Sequence, residues 1–99
     1  MPGYTYILKC SDESYYTGST INLKARIYDH INGRGSNYTS KRLPVVIVYV
    51  EEYDRIDAAF GREKQMKKWS RKKKEALINS DFNQLKRLAK NYSEYGKFE

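Results

Sequence analysis

Two tyrosine-rich runs held four residues apart restrict this chain more than any other feature. "YTYILKC" at 4 to 10 alternates so that Tyr4, Tyr6, Leu8 and Cys10 share one side of an extended strand. "SDES" at 11 to 14 has turn chemistry, and "YYTGST" at 15 to 20 reads as the returning strand of a hairpin. Opposed residues of an antiparallel pair share a face, so Tyr6 and Tyr16 lie together only if paired numbers sum to an even value. A three-residue loop or a bulge within 11 to 14 meets that condition. A loop of all four residues pairs Cys10 with Tyr15 instead and sends the two rings to opposite sides. The shared face is the expectation.

Beyond the hairpin, Ser19 or Thr20 is positioned to cap a helix running to about Ile31, with Leu23, Ile27 and Ile31 as its apolar stripe and "NGRGSN" at 32 to 37 as its stop. After a polar loop, "PVVIVYVEEY" at 44 to 53 is β-branched and mostly apolar, which predicts a central, well-covered strand. Asp54 or Asp57 is expected to cap a second helix from about 57 to 69, with Ile56, Ala59 and Phe60 on its apolar face; further helical patterns follow at about 71 to 79 and 82 to 92. The order β-β-α-β-α-α predicts an α/β fold of the α+β type, a small three-stranded sheet flanked by helices. At 99 residues there is room for one modest core.

Charge is concentrated. Of the net +7, residues 61 to 75 ("GREKQMKKWSRKKKE") supply +6, from eight Lys or Arg against two Glu. Such a patch attracts polyphosphate backbones more than it serves solubility, which makes Lys67, Lys68, Arg71, Lys72, Lys73 and Lys74 candidate nucleic-acid contacts. The longest near-apolar run, "LPVVIVYV", is too short to span a bilayer, and Met1 leads into "PGYTYILKC" without a basic-then-apolar leader; the expected compartment is the cytoplasm, with no membrane partner. Cys10 is the only cysteine, so neither a disulfide framework nor a cysteine metal cage is available, and it reads as a small buried hydrophobe.

Three polar residues sit against apolar stripes. Arg26 and His30 lie four apart along the edge of the first helix's stripe. Glu63 falls in the middle of the second helix's apolar face, where a carboxylate must be paired, metal-bound or lining a cleft. A salt bridge to Lys67 or to Arg26 is the plain alternative for it.

Taken together, a tyrosine ending "YTY" (Tyr4, Thr5, Tyr6), "YTG" (Tyr16, Thr17, Gly18) ten residues on, Arg26, His30 and an isolated Glu63 in a later helix resemble the GIY-YIG nuclease family. "YTY" stands where the family has GIY and "YTG" where it has YIG. In size and in the runs "YILKC" and "YYTGST" the chain is similar to the family's small stand-alone bacterial members. The resemblance implies a nuclease domain over 1 to 80, with 81 to 99 as its helical extension, and metal-assisted hydrolysis of nucleic acid, DNA first. It implies Glu63 as ligand of one Mg²⁺ or Mn²⁺, Tyr6 or Tyr16 as proton acceptor, Arg26 at the scissile phosphate, and His30 orienting water or phosphate. An ordinary tyrosine is a poor base, so Arg26 or His30 is expected as the cation that favours its phenolate. Ser19 stands where some members carry a lysine, and Asn79 where several carry a late polar residue. Two other classes remain open: a nucleic-acid-binding accessory module without catalysis, and a basic module that docks an acidic protein.

Overall fold

The computed structural model describes residues 1–80. Its first two strands, β1 (Gly3–Lys9) and β2 (Tyr15–Thr20), close the hairpin through a loop of Ser11, Asp12 and Glu13. The Cys10 amide donates to the Ser14 carbonyl at 2.8 Å, the Asp12 carboxylate accepts the Ser14 amide at 3.0 Å, and Glu13 takes the left-handed conformation at φ 72°. Lys9 pairs with Tyr15, Leu8 with Tyr16 and Tyr6 with Gly18. The sums are even, so Tyr6 and Tyr16 share a face.

The remaining elements are α1 (Leu23–Ile31), α2 (Asn37–Ser40), β3 (Val46–Tyr53), α3 (Ile56–Lys67) and α4 (Arg71–Ser80). The expected β-β-α-β-α-α order holds with one addition, the four-residue α2 inside what reads as polar loop. The strand order is β2-β1-β3, all antiparallel. This corrects the expectation for 44 to 53: β3 is an edge strand, with Val46 57% exposed, and the central place belongs to β1. Apolar, β-branched composition reports how much of a strand is covered and says little about its lateral position. β1 fits the centre because both its faces are buried: Tyr6, Leu8 and Cys10 on one, Gly3, Thr5 and Ile7 on the other.

The helix termini differ from expectation in instructive ways. Asn22, rather than Ser19 or Thr20, caps α1, its side chain accepting the Ala25 amide at 3.1 Å. The buried stripe of α1 is Leu23, Ile27 and His30, at i, i+4 and i+7, while Ile31 is 56% exposed. On α3 neither Asp54 nor Asp57 caps; Arg55 occupies the cap without a side-chain bond, and the Met1 carbonyl accepts the Ile56 amide at 3.0 Å. Ala59 and Met66 are the buried residues of α3, and Phe60 is 49% exposed.

One transverse row of the sheet fixes α3. Thr5 pairs with Ser19 on one side and Glu51 on the other, so the three side chains point to one face. Each bonds α3: Thr5 Oγ1 donates to the Ala59 carbonyl at 2.8 Å, Ser19 Oγ donates to Glu63 Oε1, and Glu51 accepts two Arg62 N–H bonds at 2.9 and 3.0 Å. Close approach is possible because β1 carries Gly3 there; a β-carbon on it would lie 2.7 Å from Ile56 Cα.

The chain divides into two compact units after Lys68. In the second, Ser70 Oγ accepts the Lys73 amide at 3.2 Å at the start of α4, Arg71 pairs with Glu75 at 3.3 Å, and Lys73 lies 4.4 Å from the Trp69 ring centre. The helical pattern at 82 to 92 lies outside the described residues. No helix among the described residues is long and apolar enough to cross a membrane.

Candidate active site

The second face of the hairpin, opposite α3, gathers the tyrosines. Tyr6 rises from the central strand and leans across its pairing partner on the edge strand, Gly18; a β-carbon at Gly18 would lie 2.6 Å from Tyr6 Cζ. The glycine of the second triplet is thus what lets the phenol pass over β2. His30 from α1 meets it there, with 2.8 Å between Tyr6 Oη and His30 Nε2. Arg26, one turn earlier on α1, faces the same phenol and draws its ionisation downward. Tyr16 stands beside them, its ring centre 5.2 Å from that of His30.

A loop then closes over the imidazole. His30 is fully buried, and its Nδ1 lies 2.9 Å from Thr39 Oγ1 on α2. Gly35 passes so near that a β-carbon there would lie 2.5 Å from His30 Cγ. Tyr38 stacks against Tyr16 with ring centres 6.1 Å apart at 27°, and Arg42 covers Tyr38 at 3.8 Å while bonding Asp12 of the hairpin loop at 3.0 Å. The segment 35 to 42 therefore buttresses both His30 and Tyr16.

Burial governs the protonation of this cluster. It pushes the Tyr6 hydroxyl up to about 12, against the downward pull of Arg26 and with further upward pushes from Tyr16 and Glu63. Burial, and then the positive charge of Arg26, bring His30 down to about 4 against the opposing charge of Asp29. At neutral pH the pair is a neutral phenol on a neutral imidazole. This corrects the expectation of a cation-stabilised phenolate at Tyr6: Arg26 acts in that direction but is outweighed, and His30 carries no charge.

Glu63 arrives from the other face, beyond the β2 edge. Its Oε1 accepts the Ser19 hydroxyl, and its Oε2 is ion-paired to Lys67 Nζ at 2.6 Å. The expected alternative partner Lys67 is therefore the actual one, and Arg26 instead serves Tyr6. Glu63 is near enough to Tyr6 for its charge to act on the phenol, and Lys67 is raised first by Glu63 and also by Tyr16. Ser19, on the edge strand β2, is what holds Glu63 there.

Among the described residues no three His, Cys, Asp or Glu side chains come together as a metal cage. Glu63 offers one carboxylate, 19% exposed, beside an exchangeable lysine that is 52% exposed. That donor set fits a hard divalent ion which takes its other ligands from water and substrate, and does not fit a preformed cage.

Of the sequence-derived candidates, Tyr6, Tyr16, Arg26 and His30 come together, with Ser19, Glu63 and Lys67 along the adjoining edge. Lys68 is exposed at the end of α3. Arg71, Lys72, Lys73, Lys74 and Asn79 belong to the second unit, where Arg71, Lys72, Lys73 and Asn79 are exposed on α4. The sequence reading missed Thr39, Ser36, Tyr38 and Arg42. The available signal was "SNYT" at 36 to 39, a Ser-x-x-Thr whose serine caps the short helix.

Comparison with known proteins identifies the fold. Residues 2–76 match the family model described as the GIY-YIG catalytic domain. A UPF0213 protein of Clostridium perfringens is 51% identical over 77 residues, covering 78% of this chain and 83% of its own. Another, from Natronomonas pharaonis, is 45% identical over 75 residues, covering 76% and 88%. The solution NMR structure of a UPF0213 protein of Bacillus halodurans superimposes with a TM-score of 0.54 at 39% identity, over 80% of this chain and 84% of that one. The paired tyrosines, the arginine and histidine of α1 and the lone glutamate of α3 are thus set in the fold of these relatives, and the chain belongs to the GIY-YIG family.

Proposed function

We propose that the chain is a cytoplasmic endonuclease that hydrolyses phosphodiester bonds in DNA with the help of one divalent ion, Mg²⁺ or Mn²⁺. The observation that supports this most is the 2.8 Å contact between Tyr6 Oη and His30 Nε2, with Arg26 facing the same phenol. A neutral phenol backed by a neutral imidazole can accept a proton without first ionising. A water proton passes to Tyr6 Oη as the phenol's own proton passes to His30 Nε2. The water oxygen bonds to phosphorus, the P–O bond to the leaving oxygen breaks, and that oxygen takes up a proton from solvent. Arg26, beside Tyr6, offsets the charge that grows on the phosphate oxygens. Glu63 is the protein ligand for the divalent ion, which when bound supplies stabilisation of the leaving oxygen. Lys67, paired to Glu63 at 2.6 Å, would be the cation nearest the carboxylate that could instead meet a phosphate. The exposed cations Lys68, Lys72 and Lys73, together with Arg71 and Lys74, would contact the nucleic-acid backbone.

The test is incubation of pure protein with labelled DNA and RNA structures, branched and single-stranded, in Mn²⁺ or chelator. Cleavage of DNA in Mn²⁺, absent with chelator and lowered roughly a hundredfold in Tyr6→Phe, is the expected result. Binding without cleavage favours an accessory module, and failure to bind at low salt favours a protein-docking role.

A further inference from the structure

We infer that Thr39, backed by Ser36, is a positioning residue that sets the His30 tautomer, leaving the Nε2 lone pair facing the Tyr6 hydroxyl. The inference deepens the nuclease reading of that pair and rests on counting hydrogens along one chain of contacts. Tyr6 Oη to His30 Nε2 is 2.8 Å, His30 Nδ1 to Thr39 Oγ1 is 2.9 Å, and Thr39 Oγ1 to Ser36 Oγ is 2.9 Å. Ser36 Oγ also accepts the Thr39 amide at 3.1 Å, the bond that caps α2.

Each side-chain group in the chain brings one hydrogen. Of the three orders that fill every contact, one has Ser36 and Nδ1–H both donating to Thr39, which strands the hydrogen of the fully buried Thr39, and two remain. Donation runs either from Tyr6 through His30 and Thr39 to Ser36, or the whole way back. In the reverse order the phenol oxygen receives the His30 N–H, and its own hydrogen must find another partner around a residue that is 1% exposed. In the forward order Tyr6 donates to Nε2, His30 donates from Nδ1 to Thr39, and Thr39 donates to Ser36. The one hydroxyl left to find its own acceptor is then that of Ser36, the most accessible member of the chain, while His30 and Thr39 are fully buried. A buried donor without an acceptor is penalised, so the forward order is the one populated.

This order has a chemical consequence. In this order the hydrogen of Tyr6 Oη already points at a bare nitrogen. When His30 takes that hydrogen, its Nδ1–H remains on Thr39, which accepts without giving anything up. The reverse tautomer presents an N–H to Tyr6 and cannot receive the proton. Thr39 touches no substrate and acts entirely through His30.

The experiment reads the imidazole directly. The chain holds one histidine, so long-range ¹H–¹⁵N correlation of ¹⁵N-labelled protein at pH 7.5 reports a single ring. In wild type, a protonated Nδ1 and a bare Nε2 are expected. Thr39→Val keeps the shape and removes the acceptor, and should give a mixture of tautomers, with Thr39→Ser restoring the wild-type pattern. Ser36→Ala deprives the Thr39 hydroxyl of its acceptor, turns it towards Nδ1 and should shift the ring towards Nε2–H, which provides a second route if Thr39→Val folds poorly. In cleavage assays kcat should fall on the order of tenfold in Thr39→Val with KM nearly unchanged, and recover in Thr39→Ser. A wild-type ring protonated at Nε2, or a tautomer indifferent to both Thr39→Val and Ser36→Ala, overturns the inference. The expected tautomer in a protein that binds DNA and never cleaves it upholds the positioning role and overturns the nuclease reading instead.

Discussion

Two carboxylates of nearly equal burial, Glu51 and Glu63, are held in opposite ways. Glu51 is 17% exposed and Glu63 19%. Glu51 accepts the Tyr49 hydroxyl at 2.5 Å, the Tyr53 hydroxyl at 2.6 Å and a two-pronged Arg62 at 2.9 and 3.0 Å. Every donor there is rigid or planar, and its Arg62 partner is itself only 23% exposed. Glu63 has one serine hydroxyl and a lysine that is 52% exposed. Arg62 and Glu63 are consecutive on α3, about 100° apart around the helix, so one reaches β3 and the other β2. Neighbouring positions thus yield a fixed clamp and an exchangeable acceptor. Two carboxylates of nearly the same burial differ in how far their counter-ions are exposed, Arg62 at 23% and Lys67 at 52%.

The largest expected effect breaks the comparison at Glu63. Glu63→Gln keeps the shape and removes the charge, and cleavage in Mn²⁺ should fall by roughly a thousandfold. The thermal midpoint should hardly move, because a half-exposed lysine pair contributes less than about 1 kcal/mol. A variant that cleaves normally but melts early would make Glu63 a second clamp.

Acid titration comes next. His30 is brought to about 4 in the fold from 6.5, so the unfolded chain binds its proton more readily. Its contribution, at most about 3 kcal/mol, is therefore complete above pH 6.5 and lost as pH falls towards 4. The charged and titratable groups facing it are Tyr6 and Tyr16 from the hairpin and Arg26 and Asp29 from α1. The carboxyl of Glu51 is held below its usual 4.5: burial opposes this, but the bonds from Arg62, Tyr49 and Tyr53 prevail. Its contribution is present above pH 4.5 and disappears only below it, so the two losses are separable in urea denaturation at stepped pH. In Glu51→Gln only the lower limb should flatten.

At neutral pH Glu51→Gln should itself lower stability by about 2 kcal/mol, since Arg62 is left partly buried without its counter-charge. Cleavage per folded molecule should persist, and a loss of activity at full stability would contradict the clamp assignment. The smallest effect is at Lys67: Lys67→Met removes the cation that competes at Glu63 and should tighten Mn²⁺ binding about threefold by calorimetry or electron paramagnetic resonance. Weaker binding would mean that the lysine helps to hold the site open for the ion.

How much of this was legible follows from what sequence periodicity encodes. The hairpin register was, because parity and a three-residue loop leave one shared face for Tyr6 and Tyr16. Glu63 was, because a charge in an apolar helical stripe must find a partner. The lateral order of strands was not: "PVVIVYVEEY" is apolar enough for the centre, and only the pairing shows β1 there. His30 and Ile31 were exchanged because a nine-residue helix admits stripes at i+7 and i+8 equally, and hydrophobicity favours isoleucine for the buried one. A histidine goes inside when two partners await it, and Tyr6 and Thr39 are 24 and 9 residues away. Thr39 and Ser36 stayed hidden for the related reason that polar residues in a loop look alike until the loop is folded over something.

The row Ser19, Thr5 and Glu51 also governs how the molecule fails. Three directional bonds from three different strands key one helix to the sheet, and displacing that helix by a single residue would break all three together. Such a joint behaves as a latch: it is seated or it is open, with no creeping intermediate. Glu63 rides on the latched part. Gradual loosening of the apolar layer beneath should therefore leave the distance between carboxylate and phenol unaltered until the latch releases, so that heat removes competence at one threshold.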